Sequence, residues 1–195
     1  MNLRLAAMLA PAAIAAAVFS SGSAHAQINL FGDYFENVAR AACANDTEHV
    51  RELVGGNDHN PNQTDDKSRT GLDCAAMNGN LQIIALLIKA NAKLDQTDPF
   101  GNTALHWAAD RNQTQAAKLL VDAGATVDAQ NKDGMTALMV AASHGNLELV
   151  RALLAKGANP AKPDYTGRDA VGWAAEGHRP AVIDALKRAE TGGHS

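Results

Sequence analysis

Large aromatic rings are scarce in this chain of 195 residues. Four Phe, two Tyr and two Trp make up 4% of it, while alanine is abundant. That balance suits thin helical layers better than a globular core filled with rings. Cysteine is nearly absent, with Cys43 and Cys74 alone and no CxxC spacing. HExxH, a glycine-rich phosphate loop and a nucleophile elbow are all missing, so no established catalytic signature stands in the chain. There is no dense basic run and hence no nucleic-acid footprint. Seventeen Lys and Arg against 21 Asp and Glu give a net charge of -4. Arg4 is the one such residue before position 27, so the remainder carries -5. Mild acidity permits a basic protein partner without identifying one.

Long hydrophobic runs are lacking too. The longest, Leu5–Phe19, is interrupted by Pro11. It is short for a membrane span and has no basic flank after it. Arg4 precedes it and Ser-Ser-Gly-Ser-Ala-His-Ala follows, with Ala24 and Ala26 at the small positions of a cleavage site. The stretch 1–26 is therefore expected to be a secretory signal peptide cut before Gln27, rather than an uncleaved anchor. No cysteine adjoins the cut and no paired arginines precede the run. A lipid anchor is not expected, and unfolded export is the simpler route. The expected location is the periplasm, or the exterior if secretion is complete.

What the chain does contain is a period. Ala75-Ala76, Ala108-Ala109, Ala141-Ala142 and Ala174-Ala175 stand 33 apart, and Ala41-Ala42 lies 34 before the first of them. A fixed period of this length means stacked units. In the unit starting near Phe100, Thr103 stands where an N-cap accepts from a backbone N–H. Leu105, Ala108 and Ala109 follow at helical spacing. A second helix, about Thr114–Asp122, turns Ala117, Leu119, Leu120 and Val121 inward, and Gly124 closes it. The polar stretch Thr126–Gly134, with its Lys-Asp-Gly turn, predicts a tight finger. Neither helix is long enough to stand alone in water. The sequence thus predicts an all-α repeat over 27–190, with units near 33–66, 67–99, 100–132, 133–165 and 166–190, and a frayed tail at 191–195.

The unit resembles the ankyrin repeat. The matching residues are Gly101, Thr103, Ala104, Leu105, His106, Ala108, Ala109, Leu119, Leu120, Gly124 and Ala125, then Gly134, Thr136, Leu138, Ala141, Ala142, Gly145, Asn146, Leu153, Leu154, Gly157 and Ala158. The pattern departs at Asp73, Met139 and Gly172, where the family prefers the histidine kept at His106. It departs again where Asp169 replaces threonine and His178 replaces glycine. The resemblance implies a solenoid of about five helix–turn–helix units with short finger loops. It also implies a bracing role for His106 and a concave groove, lined by fingers and first helices, that binds a protein. Mapped onto this chain, the candidate binding residues are Lys67, Arg69, Phe100, Asn102, Trp107, Asp110, Arg111, Lys132, Met135, His144, Tyr165, Arg168 and Trp173. Trp107 and Trp173 share one repeat position, at which Cys74 and Val140 also fit. Packing alone does not demand tryptophan there, and Trp, Tyr and Arg dominate binding energy at interfaces.

Cys43 and Cys74 fall on the first helices of adjacent units, one turn apart. An exported protein favours a bridge. Axes about 8–10 Å apart favour two separate thiols, because a bridge needs Cα atoms within about 7 Å. Two separate thiols are therefore the expectation, with a bridge as the alternative. The expected function is a non-catalytic binding scaffold of the cell envelope: monomeric, without cofactor or metal, and without membrane insertion once the signal is removed. An immunity protein that neutralises a periplasmic toxin is one alternative. An envelope enzyme or metal or thiol redox protein built on Cys43, Cys74 and scattered histidines is another.

Overall fold

A computed structural model describes residues 37–56 and 60–191. The expected signal peptide, the start of the first unit and most of the tail lie outside the described residues. Among those described there are ten α-helices and no strand, apart from one isolated bridge between Thr64 and Thr70. The helices come in five pairs: α1 Val38–Cys43 and α2 Thr47–Gly55; α3 Gly71–Asn78 and α4 Leu81–Lys89; α5 Ala104–Asp110 and α6 Thr114–Asp122; α7 Ala137–His144 and α8 Leu147–Ala155; α9 Ala170–Glu176 and α10 Pro180–Glu190. First helices pack in series, α1 on α3 on α5 on α7 on α9, and second helices form a parallel series. None of these helices is long and apolar enough to cross a membrane.

The alanine pairs are the floor of this stack. Ala42, Ala75, Ala76, Ala108, Ala109, Ala141, Ala142 and Ala174 have no exposed surface. A side chain beyond Cβ at these points would hold neighbouring helices apart. Leucine and isoleucine fill the layer between first and second helices, with Leu72, Ile83, Ile84, Leu87, Leu105, Leu120, Leu138, Leu149 and Leu153 buried. The period fails at one place: Ala175 is exposed. It occupies the register of Ala76, Ala109 and Ala142, but no further unit covers it among the described residues.

Left-handed backbone recurs where each first helix ends. Asn45, Gly79, Asn112, Gly145 and His178 have φ of 61°, 68°, 56°, 77° and 56°. Glycine adopts this conformation without strain, and asparagine tolerates it. His178, which reads in sequence as a departure, keeps the same geometry.

The fingers are built on a residue type that the repeat pattern did not single out. Asp65, Asp98, Asn131 and Asp164 recur once per period, and the side-chain Oδ1 of each accepts from the N–H groups two and four positions on. The distances are 2.9 and 2.9 Å, 2.8 and 2.9 Å, 3.0 and 3.0 Å, and 2.8 and 2.9 Å. The backbone N–H of each also donates to the carbonyl four positions on, which closes the loop. Adjacent fingers then join: Lys132 N donates to the Phe100 carbonyl at 3.0 Å, and Tyr165 N to the Asp133 carbonyl at 3.2 Å. Gly134 suits this packing, because a Cβ there would meet Tyr165 N at 2.5 Å.

Units are also tied below the second helices. Asn62 Oδ1 accepts from Lys93 N at 2.7 Å, Asp95 Oδ1 from Thr126 N at 2.9 Å, and Asp128 Oδ1 from Asn159 N at 3.0 Å. These acceptors, too, are each one period from the next.

Candidate partner-binding face

Capping positions each first helix, and so each residue on its outer side. Thr70 Oγ1 accepts from Asp73 N at 3.0 Å, and Thr136 Oγ1 from Met139 N at 3.3 Å. Asp169, the departure in the last unit, does the same work by accepting from Gly172 N at 2.8 Å. Thr103 is the N-cap of α5, as the sequence leads one to expect, and its capping box is closed by a histidine. Its hydroxyl pairs with the ring of His106 at 2.9 Å. His106 Nε2 lies 2.9 Å from the Met135 carbonyl, which can only accept, so Nε2 carries the proton. Nδ1 then accepts, and Thr103 N donates to it at 3.2 Å. Burial lowers the His106 pKa and favours the neutral ring that this arrangement needs. The ring braces the next finger, as the resemblance implies.

The equivalent position one unit earlier is incomplete. Asp73 has no exposed surface. One carboxylate oxygen accepts from Thr70 N at 2.8 Å, and Oδ1 is buried without a partner among the described residues. Burial pushes its pKa up to about 6.

The two tryptophans share a register and differ in state. Trp173 packs on the core, donates from Nε1 to Asp164 Oδ2 at 3.0 Å, and lies under the Arg168 guanidinium, 4.3 Å from the ring centroid. Arg168 also pairs with Glu176. In Trp107's unit the residue equivalent to Asp164 is Asp98, whose Oδ2 is taken by Asn102 Nδ2 at 3.3 Å. Trp107 Nε1 is left buried without a partner among the described residues. Its ring is half-buried.

The other candidates divide in the same way. Phe100 and Tyr165 project from finger tips and are 69% and 72% exposed. Lys67, Lys132 and Arg111 are exposed, His144 lies at the end of α7 with Nδ1 3.0 Å from the Val140 carbonyl, and Asp110 pairs with Arg111 at 3.2 Å. Arg69 is half-buried, its guanidinium held on Asp65 Oδ2 at 2.9 and 2.6 Å. Asn102 also accepts from Asn131 Nδ2 at 2.9 Å, and Met135 packs partly on the core. Sequence reasoning passed over Arg40 of α1, which pairs with Asp66 beside the Asp65 finger base.

Cys43 and Cys74 form a disulfide with Cα atoms 4.7 Å apart. The preference for two separate thiols is corrected here. Axis separation misleads, because each Cα stands about 2.3 Å off its own axis. Residues that face each other across the contact come nearer by twice that amount. Both sulfurs and an Asp65 oxygen lie within 4.8 Å of one another. The bridge uses the sulfurs, however, and Arg69 with the Lys67 and Arg69 N–H groups occupies the carboxylate.

Five helix pairs stacked in register define a helical solenoid of the repeat-protein class. The family model described as Ankyrin repeats (3 copies) matches residues 38–131 and 123–192. The chain belongs to the ankyrin-repeat family, whose repeats generally mediate protein–protein interaction and are typically non-catalytic. A search of curated proteins returned no match to it.

Proposed function

We propose that this is an exported, non-catalytic binding module that holds a protein partner in the groove formed by its fingers and first helices. The observation that carries the reading is the pair of finger-tip rings, Phe100 and Tyr165, 69% and 72% exposed. Tyrosine and tryptophan rings, with arginine, are the side chains that carry most binding energy at protein interfaces. Trp107 supports it as a half-buried ring in the register of Trp173. Arg111, Lys132 and Lys67 supply charged flanks. Trp173 and Arg168 are engaged with each other and shape the end of the groove. Export is supported by the leader-like stretch 1–26 and by the Cys43–Cys74 bridge, a bond that persists in oxidising compartments.

The test is affinity capture from envelope extract, comparing Gln27–Ser195 with its Trp107→Ala, Arg111→Ala double variant. The expected result is a partner retained by the parent and reduced at least tenfold by the variant, with helical content unchanged. Equal capture by both would refute the assignment of this face.

A further inference from the structure

Repeat 1 is a thin end of the stack, as is repeat 5, whose helices bury Ala170, Ala174, Val182 and Leu186. Helix α1 has six residues, and the side chains that α1 and α2 bury are Val38, Ala39, Ala41, Ala42, Val50 and Leu53. Asn37 Oδ1 caps α1 by accepting from Ala39 N at 2.8 Å, and only the second repeat covers this helix pair among the described residues. The Cys43–Cys74 bond joins the end of α1 to the middle of α3. Asp65, whose Oδ2 lies 3.5 Å from Cys43 Sγ, organises the Lys67 and Arg69 N–H groups at the base of the adjoining finger. Repeats 3 and 4 contain no cysteine. Each of them has neighbours on both sides, and their helices bury leucine, valine and methionine as well as alanine.

We propose that the Cys43–Cys74 bridge is a redox latch, whose reduction by a dithiol frees the first helix pair while the later repeats stay stacked. Access is asymmetric, since Cys43 is half-buried and Cys74 is 2% exposed. The attacking thiolate therefore bonds to Cys43 Sγ, the bond between the two cysteines breaks, and its electron pair leaves on Cys74 as thiolate. The second thiolate of the reductant then attacks its own sulfur in the mixed disulfide and releases Cys43 as thiolate. The reductant becomes a disulfide, and its two protons end on the two cysteine sulfurs. Once the bond is gone, repeat 1 is held by the burial of Val38, Val50 and Leu53, the Asn62 tie and side-chain hydrogen bonds such as Asn80 Nδ2 to Thr47 Oγ1 at 3.1 Å. Freeing it also removes the Arg40–Asp66 pair beside the Asp65 finger base.

The test is amide hydrogen exchange on Gln27–Ser195 before and after treatment with dithiothreitol, with thiol titration to prove reduction. Positions 38–55 are expected to exchange at least tenfold faster after reduction, while positions 104–189 change less than twofold. A Cys43→Ser, Cys74→Ser variant should show the reduced pattern in both conditions. Unchanged exchange over 38–55 in the fully reduced protein overturns the latch. Equal loss of protection along the whole chain overturns it too, because the bond would then hold the entire fold.

Discussion

At the scale of single residues, the buried Asp73 carboxyl is the group least at ease. Loss of water around it raises its pKa from 3.8 to about 6; the Thr70 backbone N–H and hydroxyl oppose this, the nearby Asp98 adds to it, and Arg69 relieves it. The folded chain thus binds this proton more tightly than the unfolded chain does. The associated stability is fully present below pH 3.8 and is lost as pH rises through about 6, on the order of 3 kcal/mol in all. Asp73→Asn keeps an acceptor for Thr70 N and carries no charge at any pH. It should stabilise the protein by roughly 2–3 kcal/mol at pH 8 and by almost nothing at pH 4. Urea denaturation at the two pH values checks this, and an equal difference at both would show that Asp73 stays ionised throughout. Asp164 behaves oppositely. Burial works against its charge, but hydrogen bonds from Thr166, Arg168 and Trp173 outweigh that and hold its pKa at about 2. Its contribution is present above pH 3.8 and disappears as pH falls through about 2. The His106 brace is legible through the resemblance, because the Thr-x-x-His motif that carries it is local in sequence. The unpartnered oxygen of Asp73 is not, because it depends on what a neighbouring repeat fails to offer.

At the scale of elements, each finger hangs on one side-chain oxygen. Asp98 is 6% exposed and satisfies the Phe100 and Asn102 N–H groups. Asp98→Ala leaves both donors short of an acceptor and should cost about 1–3 kcal/mol. Asp98→Asn should cost less than about 0.5 kcal/mol, since Asn131 already does this work one unit later. Thermal denaturation of the two variants measures the gap, and similar losses for both would mean that charge, not hydrogen bonding, shapes the finger. The helices are readable from the Thr caps, the alanine pairs and the closing Gly124 and Gly157. The finger mechanism is readable in principle, as an Asp or Asn recurring once per period. It is easily missed because the Lys-Asp-Gly tip carries a louder turn signal than the single residue at the base. The disulfide escapes for a different reason: helix-axis distances do not measure how close two facing Cα atoms come.

At the scale of the whole molecule, identical residues have different duties according to their place in the stack. Ala109 is fully buried between α3 and α7, whereas Ala175, two periods on, faces solvent. Ala109→Leu should wedge the central repeats apart and cost about 3 kcal/mol or more. Ala175→Leu should stay within about 0.5 kcal/mol of the parent. Chemical denaturation of the pair decides it; comparable losses would mean that the last repeat is covered after all. Surface ion pairs between second helices, Lys118 with Glu148 and Lys156 with Asp122, add little to this, because exposed pairs contribute only about 0–1 kcal/mol. The number and order of repeats follow from the period alone. The exposure of one end does not, because periodicity treats every copy alike.

The ties at Asn62, Asp95 and Asp128 all reach forward, each taking hold of the backbone of the following unit. The register continues to Ala161, which has no oxygen beyond its backbone to offer. The assembly therefore has a built-in direction, and its last joint, from the fourth unit to the fifth, is disarmed. An Asp or Asn at position 161 would be needed for the fourth unit to clasp the fifth as the others are clasped.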